Sequence, residues 1–314
     1  MRNRSAMTLR RVILLNFILL GALALVRVYM AVTGALGEPQ GVGEMAGQPR
    51  EPAAVQREEE RQRSAAAQLT AANERRLPEK QILFGDLHVH TTYSADAYNM
   101  SLPMFLGEGS HPPGDACDFA RYCSALDFWS INDHAEGLTP RQWQQTRDMV
   151  RQCNAVAGNP ANPDMVTFLG WEWTQTGKTA QTHYGHKNVV LRDTADDEVP
   201  ARPIAAQAWA SPTGLSLYKM KLRLMLIAGV ADGNPRQVLY NIMQLLRGDD
   251  APAGLPTSDA RQRYYNYIRF LQDRDDLYPC PPGASERALP TDCQESARTP
   301  TELFAKLDDW GYPT

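Results

Sequence analysis

The chain has 314 residues, enough for one large domain with appendages or for two domains. Charged residues make up 22% of it and the formal net charge is −4 at pH 7. That balance lacks the basic footprint of a nucleic-acid-binding domain, so no extended nucleic-acid binding is expected.

The N-terminus departs from this average. Arg2, Arg4, Arg10 and Arg11 precede an apolar run from Val12 to Val32, interrupted at Arg27, that is 21 residues long. A bilayer-spanning helix needs about 20. The basic flank predicts that residues 1–11 stay in the cytoplasm while the rest of the chain is exported. The expectation is a single-pass inner-membrane protein, anchored through residues 12–32, with a periplasmic C-terminal domain. A cleaved signal peptide is the alternative, although its best small-x-small site, Ala31-Val32-Thr33, is poor. Residues 33–80 hold only five Ile, Leu, Val or Phe residues among many Ala, Gln, Glu, Arg, Gly and Pro, too few to bury a core. They read as a tether, with helix formers gathered around Arg57 to Arg76.

From Gln81 strands alternate with helices, and the remaining domain is taken as residues 81–314. Ile82-Leu83-Phe84 leads into Gly85-Asp86, and His88 and His90 follow at i and i+2. Side chains two apart on a strand share a face, so Asp86, His88 and His90 are expected along one side. Two such imidazoles can grip one ion of Zn, Mn or Fe, and Asp86 is placed behind a histidine as a supporting carboxylate. A helix is expected from Ala116 to Ala125 behind Asp115 as N-cap. The second strand, Asp127 to Ile131, ends in Asn132-Asp133-His134. Thr139-Pro140-Arg141-Gln142 is a capping box opening a helix that stops at Gly158.

Val166 to Leu169 is the third strand and leads to Glu172. His183 and His186 precede a fourth strand, Lys187 to Leu191. Of the six histidines in the chain, five thus fall at strand ends, a distribution that favours a common task. Helices are then expected over Leu215 to Val230, Pro235 to Arg247, Asp259 to Gln272 and, behind a Thr299-Pro300-Thr301-Glu302 capping box, to Trp310. Strand-helix alternation with polar residues at strand ends predicts an α/β fold on a parallel sheet, open or closed into a barrel. Lys178, Lys187 and Arg192 are available to phosphate oxygens, and Trp171, Trp173 and Tyr184 to a substrate. Asp133 is a candidate for orienting a catalytic water. Five cysteines leave an odd thiol in an exported protein. Cys280 and Cys293 bracket a Pro- and Gly-containing loop and are expected to pair; Cys117, Cys123 and Cys153 are left open.

GDLHVHTTYSADAY, SINDHAE and FLGWEW, in that order, resemble the polymerase-and-histidinol-phosphatase (PHP) superfamily. With THYGHKNVV and ARPIAA added, the stretch from Gln81 onward is similar to the DUF3604 family, a domain of unknown function. The resemblance implies a distorted (β/α)7 barrel holding two or three divalent metal ions that hydrolyse a small phosphorylated or ester substrate. It implies ligands at His88, His90 and His134, a metal-bridging Glu172, and a further ligand at His183 or His186. Asp96 occupies a variable position of the first motif and is a weaker ligand candidate. The superfamily also needs later histidines, and none follows His186. The barrel is therefore expected to be C-terminally truncated. A non-catalytic metal-binding or scaffold module and an amidohydrolase-like enzyme are the competing expectations.

Overall fold

The computed structural model describes residues 2–72, 82–100, 110–160, 162–207, 258–283 and 286–311. The helices expected over Leu215 to Val230 and Pro235 to Arg247 lie outside the described residues. Two compact units are present.

The first unit comprises Met1–Pro39, Asn99–Gly109 and Ser211–Asp275. Its helix α1, Arg2–Val32, is long and apolar enough to cross a membrane, and leucines such as Leu15, Leu20 and Leu25 are exposed along it. The last turn is different. Ala31 and Val32 are buried against Tyr265 and Ile268 of another helix, Ser258–Asp275. Gly37 permits this contact, because a Cβ there would lie 2.2 Å from the Tyr265 carbonyl oxygen. Glu38 N–H then donates to Asn266 Oδ1 at 2.9 Å.

The second unit comprises Gln40–Tyr98, Ser110–Ala210 and Asp276–Thr314. It is mixed α/β. Helix α2, Pro52–Ala72, is followed by strand β1, Gly85–Val89, and helix α3, Ala95–Met100. Helix α4, Pro113–Asp118, continues as a π-turn over Phe119–Cys123 into β2, Phe128–Ile131. Helix α5 is Pro140–Ala155, and after the short pair β3, Gly158–Asn159, and β4, Asn162–Pro163, come β5, Val166–Gln175, and β6, Gly185–Leu191. Strand β7 is Ile204–Ala205. Past the Ser258–Asp275 helix, numbered α6, lie β8, Glu295–Ser296, and α7, Pro300–Trp310.

The main sheet has the order β1-β2-β5-β6. Its first three strands are parallel, as the helical crossovers α4 and α5 require. Strand β6 runs antiparallel to β5, unlike the all-parallel sheet expected. No helix intervenes between β5 and β6, so the chain turns straight back as a hairpin.

One face of the sheet carries the core. Trp129, Trp171 and Trp173 are fully buried there, with Trp143 of α5. Trp171 meets Trp143 edge-on at 5.8 Å between ring centroids. Truncating any of these to Ala would cost roughly 3–5 kcal/mol. Trp171 and Trp173 are therefore packing residues, and Trp173 Nε1 donates to Ala297 O at 2.8 Å. The other face curls inward, and Asn188 of β6 donates to Leu87 O of β1 at 2.9 Å. Gly170 lies at the bottom of the curl, where a Cβ would be 2.5 Å from the Val189 carbonyl oxygen.

Local signals hold at several helix ends. Thr139 and Gln142 form the reciprocal capping box, and Gly311 ends α7 with φ 65. The start of α4 differs from expectation. Pro113, with φ preset for the first helical position, opens it behind Pro112, two residues ahead of Asp115. The start of the expected tether also makes specific contacts. Val42 O accepts Gly114 N–H at 2.7 Å, Asp118 accepts Ala46 N–H at 2.8 Å, and Arg50 joins Arg121 around the buried Asp164. Cys280 pairs with Cys293, and Cys117 of α4 pairs with Cys153 of α5, leaving Cys123 exposed.

Candidate metal centre

Glu172 is the hub of the concave face. It is fully buried on β5, and its backbone N–H donates to Asp133 O at 3.1 Å, which draws the end of β2 against it. Its two carboxylate oxygens face different partners. Oε2 lies 2.9 Å from His88 Nε2 and 2.7 Å from His90 Nε2, and those two nitrogens are 2.9 Å apart. Oε1 contacts His186 Nδ1 and, at 2.9 Å, the Thr174 hydroxyl. The β5–β6 hairpin makes this possible, since Thr174 pairs opposite His186 and Glu172 opposite Asn188.

His134 stands between the two sets. Its Nδ1 is 2.9 Å from Thr174 Oγ1 and 3.7 Å from Glu172 Oε2, while its Nε2 is 3.1 Å from Asp96 Oδ2. The other Asp96 oxygen reaches His90 Nδ1 at 3.3 Å, where Ser94 Oγ also lies, at 3.0 Å. One carboxylate thus spans the far nitrogens of two histidines. Ser94 also accepts the His134 backbone N–H at 3.1 Å.

Among the described residues, three overlapping groups of donors converge closely enough to hold an ion: His88, His90 and Glu172; His90, Asp96 and His134; His134, Glu172 and His186. The donor set fits a divalent cation. Adjacent ligands about 2.1 Å from an ion are roughly 3.0 Å apart in an octahedral shell and roughly 3.4 Å apart in a tetrahedral one, and the first group, at 2.7 and 2.9 Å, lies nearer the octahedral spacing. A neutral imidazole has one free lone pair, so a histidine serves one ion. The Asp96 group uses the opposite ring nitrogens of His90 and His134 from the other two groups, and so competes with them.

Charge follows this geometry. Burial opposes ionisation of Glu172, but the rings of His90, His134 and His88 outweigh it and hold its carboxyl well below the usual carboxylate range. Burial likewise opposes charge on Asp96, and His134 and His90 hold that group low as well. For His90, burial pulls down, yet hydrogen bonds to Asp96 and Glu172 push the ring up to about 10. A cation entering the site must displace that proton, so its uptake weakens as pH falls.

The remaining candidates are placed differently. Asp133 is buried, and its oxygens accept Thr91 N–H at 2.6 Å and Thr91 Oγ1–H at 2.7 Å, which fixes the loop after β1. Burial pushes its carboxyl up to about 6 against those two bonds. Asp86 bonds to the backbone next to the histidines. The β1–β2 register shifts between Asp86 and Val89, and Asp86 accepts the His88 backbone N–H at 2.9 Å. It lines a cavity of about 400 Å³ with His90, His111 and Trp129. His183 stays on the exposed loop, with Nδ1 3.3 Å from Gly177 O. Lys187 lies over the Trp173 ring on the core side, and Arg192 pairs with Asp193.

Sequence reading missed Thr174 and Glu136. Thr174 sits two residues beyond Glu172, the same-face spacing used for the histidines, and a strand drawn past Leu169 would have exposed it. Glu136 sits two residues beyond His134, in a 3-10 turn that gives no periodic signal.

Residues 77–156 match the model of the family described as a protein of unknown function, DUF3604, which supports that resemblance over β1 to α5. The match includes His88, His90 and His134 and stops short of Glu172 and His186. No curated protein and no solved structure matches the chain.

Proposed function

We propose, from the donor set and not from the family match, that this is a metal-dependent hydrolase of PHP-like architecture acting on a small phosphate ester. The observation that carries the reading is the division of Glu172, whose Oε2 faces His88 and His90 while Oε1 faces His186. A carboxylate placed between two imidazole sets is suited to bridging two ions. His88 and His90 Nε2 with Oε2 would hold one; His134 and His186 Nδ1 with the same carboxylate, which turns Oε1 to His186, would hold the other. Asp96 then orients His90 and His134 by accepting from their far nitrogens. Imidazole and carboxylate donors without thiolate suit Zn, Mn or Fe. Such ions supply water of lowered pKa and offset charge on the attacked and leaving ester oxygens. Ligands carried at or beyond the C-terminal ends of β1 and β2 and late in β5 support the opening part of a PHP-like barrel.

The test is hydrolysis of a generic aryl phosphate before and after chelation. Activity should vanish with the metal and return on adding Zn, Mn or Fe. Metal uptake with no hydrolysis of phosphate or carboxylate esters would leave a binding module instead.

Burial of Ala31 and Val32 in the first unit supports keeping α1 as an anchor in the inner membrane, and two disulfides support export of the rest to the periplasm. Thiol trapping in intact cells should find Cys117 and Cys153 oxidised. Finding both as free thiols would contradict export.

A further inference from the structure

Glu136 is a buried acid beside this centre whose second oxygen is explained neither by ligation nor by support of a ligand. Its side chain is 13% exposed and enters the concave face from the 3-10 turn Ala135–Gly137. Oε1 accepts two backbone N–H groups, from Ala206 at 2.8 Å and Thr174 at 3.2 Å. The Glu136 carbonyl oxygen accepts Gln294 Nε2 at 2.8 Å. Two separate segments therefore fix the side chain in one orientation, and a third anchors its backbone. The second oxygen, Oε2, is buried with no hydrogen-bond partner, 3.8 Å from His134 Nδ1.

A buried acceptor without a donor costs roughly 1–3 kcal/mol, and more for a charged group. Such an atom, held firmly at a site, calls for a partner that the fold itself does not supply. The neighbouring polar atoms include the Nδ1 of His134, which the second ion of the proposed centre would occupy, and the Glu172 carboxylate, an acceptor. Glu136 is in none of the donor groups that converge on an ion, so the missing partner is taken as a hydrogen donor small enough to stand beside the His134–His186–Glu172 group.

We infer that Glu136 Oε2 accepts a hydrogen bond from the attacking water and so holds it on the His134 side of the centre. The inference rests on the hydrolase reading and adds the residue that aims the nucleophile. In the reaction the water oxygen forms the new bond to phosphorus and the phosphorus–oxygen bond to the alcohol breaks. One water proton leaves on the alcohol and the other stays on the phosphate, so atoms and charge balance. Glu136 orients one of those O–H bonds before the attack. Its clamp by Ala206 and Thr174 means that this aim needs no rearrangement during the step.

Glu136→Gln separates aiming from clamping. The amide oxygen can still accept from the Ala206 and Thr174 N–H groups, which forces the NH2 into the place of Oε2, where a donor now replaces the acceptor. The expected result is unchanged thermal midpoint and bound metal per chain, an unchanged KM for the aryl phosphate, and kcat lowered about 100-fold. Wild-type kcat in this variant would overturn the inference. So would a fall in activity that only tracks lost metal or a lowered midpoint, since either assigns Glu136 to ligation or to the fold. Absence of metal-dependent hydrolysis by the wild type, seen before any variant is made, would instead remove the hydrolase reading from which the inference starts.

Discussion

Replacing Glu172 with Gln is expected to take at least one ion from the centre, and activity with it. Size and burial are kept, so the fully buried site is still filled. One of the two oxygens becomes an NH2, which cannot ligate, and whichever way the amide turns it deprives either the His88–His90 set or the His186 set of its acidic donor. Loss of a mere supporting partner costs 10- to 100-fold in metal affinity, so loss of a shared ligand should exceed about 100-fold. Metal content and kcat should fall in parallel, by titration with Zn and by the aryl phosphate assay. Full metal occupancy with a lowered thermal midpoint would show instead that Glu172 is a buried structural acid.

Loss of the Cys117–Cys153 bond should be a large stability change that leaves the centre untouched. Both sulfurs are fully buried, and the bond joins α4 to α5 across a separation of 36 residues. Closing a loop of that length removes unfolded-state entropy worth about 4 kcal/mol, against about 3 kcal/mol for the 13-residue separation of Cys280 and Cys293. The double replacement Cys117→Ala/Cys153→Ala should therefore lower the urea midpoint strongly, while the pair at 280 and 293 and the exposed Cys123 are undisturbed. An unchanged midpoint would mean that the bond does not form in solution.

What was legible in the sequence was local. A two-residue spacing marked His88 and His90, and a capping box with proline behind it marked α5, because side chain and backbone there lie within a few residues of each other. Contacts set by distant segments left no such trace. The antiparallel turn of β6 follows from a missing crossover helix, and it decides that His186 rather than His183 meets Glu172. Arg50, in a stretch with too few apolar residues for a core, is held by charge and backbone bonds to Asp164, which hydrophobic patterning ignores. The partner of Cys117 became visible only when α4 and α5 packed side by side.

The central claim is that Glu172 divides two ion sites, and the most direct measurement of it is metal bound per chain. Purified protein equilibrated with Zn or Mn and analysed by elemental mass spectrometry should carry two ions, a count that follows from one ion for each oxygen of Glu172. The His88→Ala/His90→Ala variant should keep one, since His134, His186 and Glu172 still converge. Wild-type protein with no bound ion, or a double variant with the wild-type content, would contradict the account.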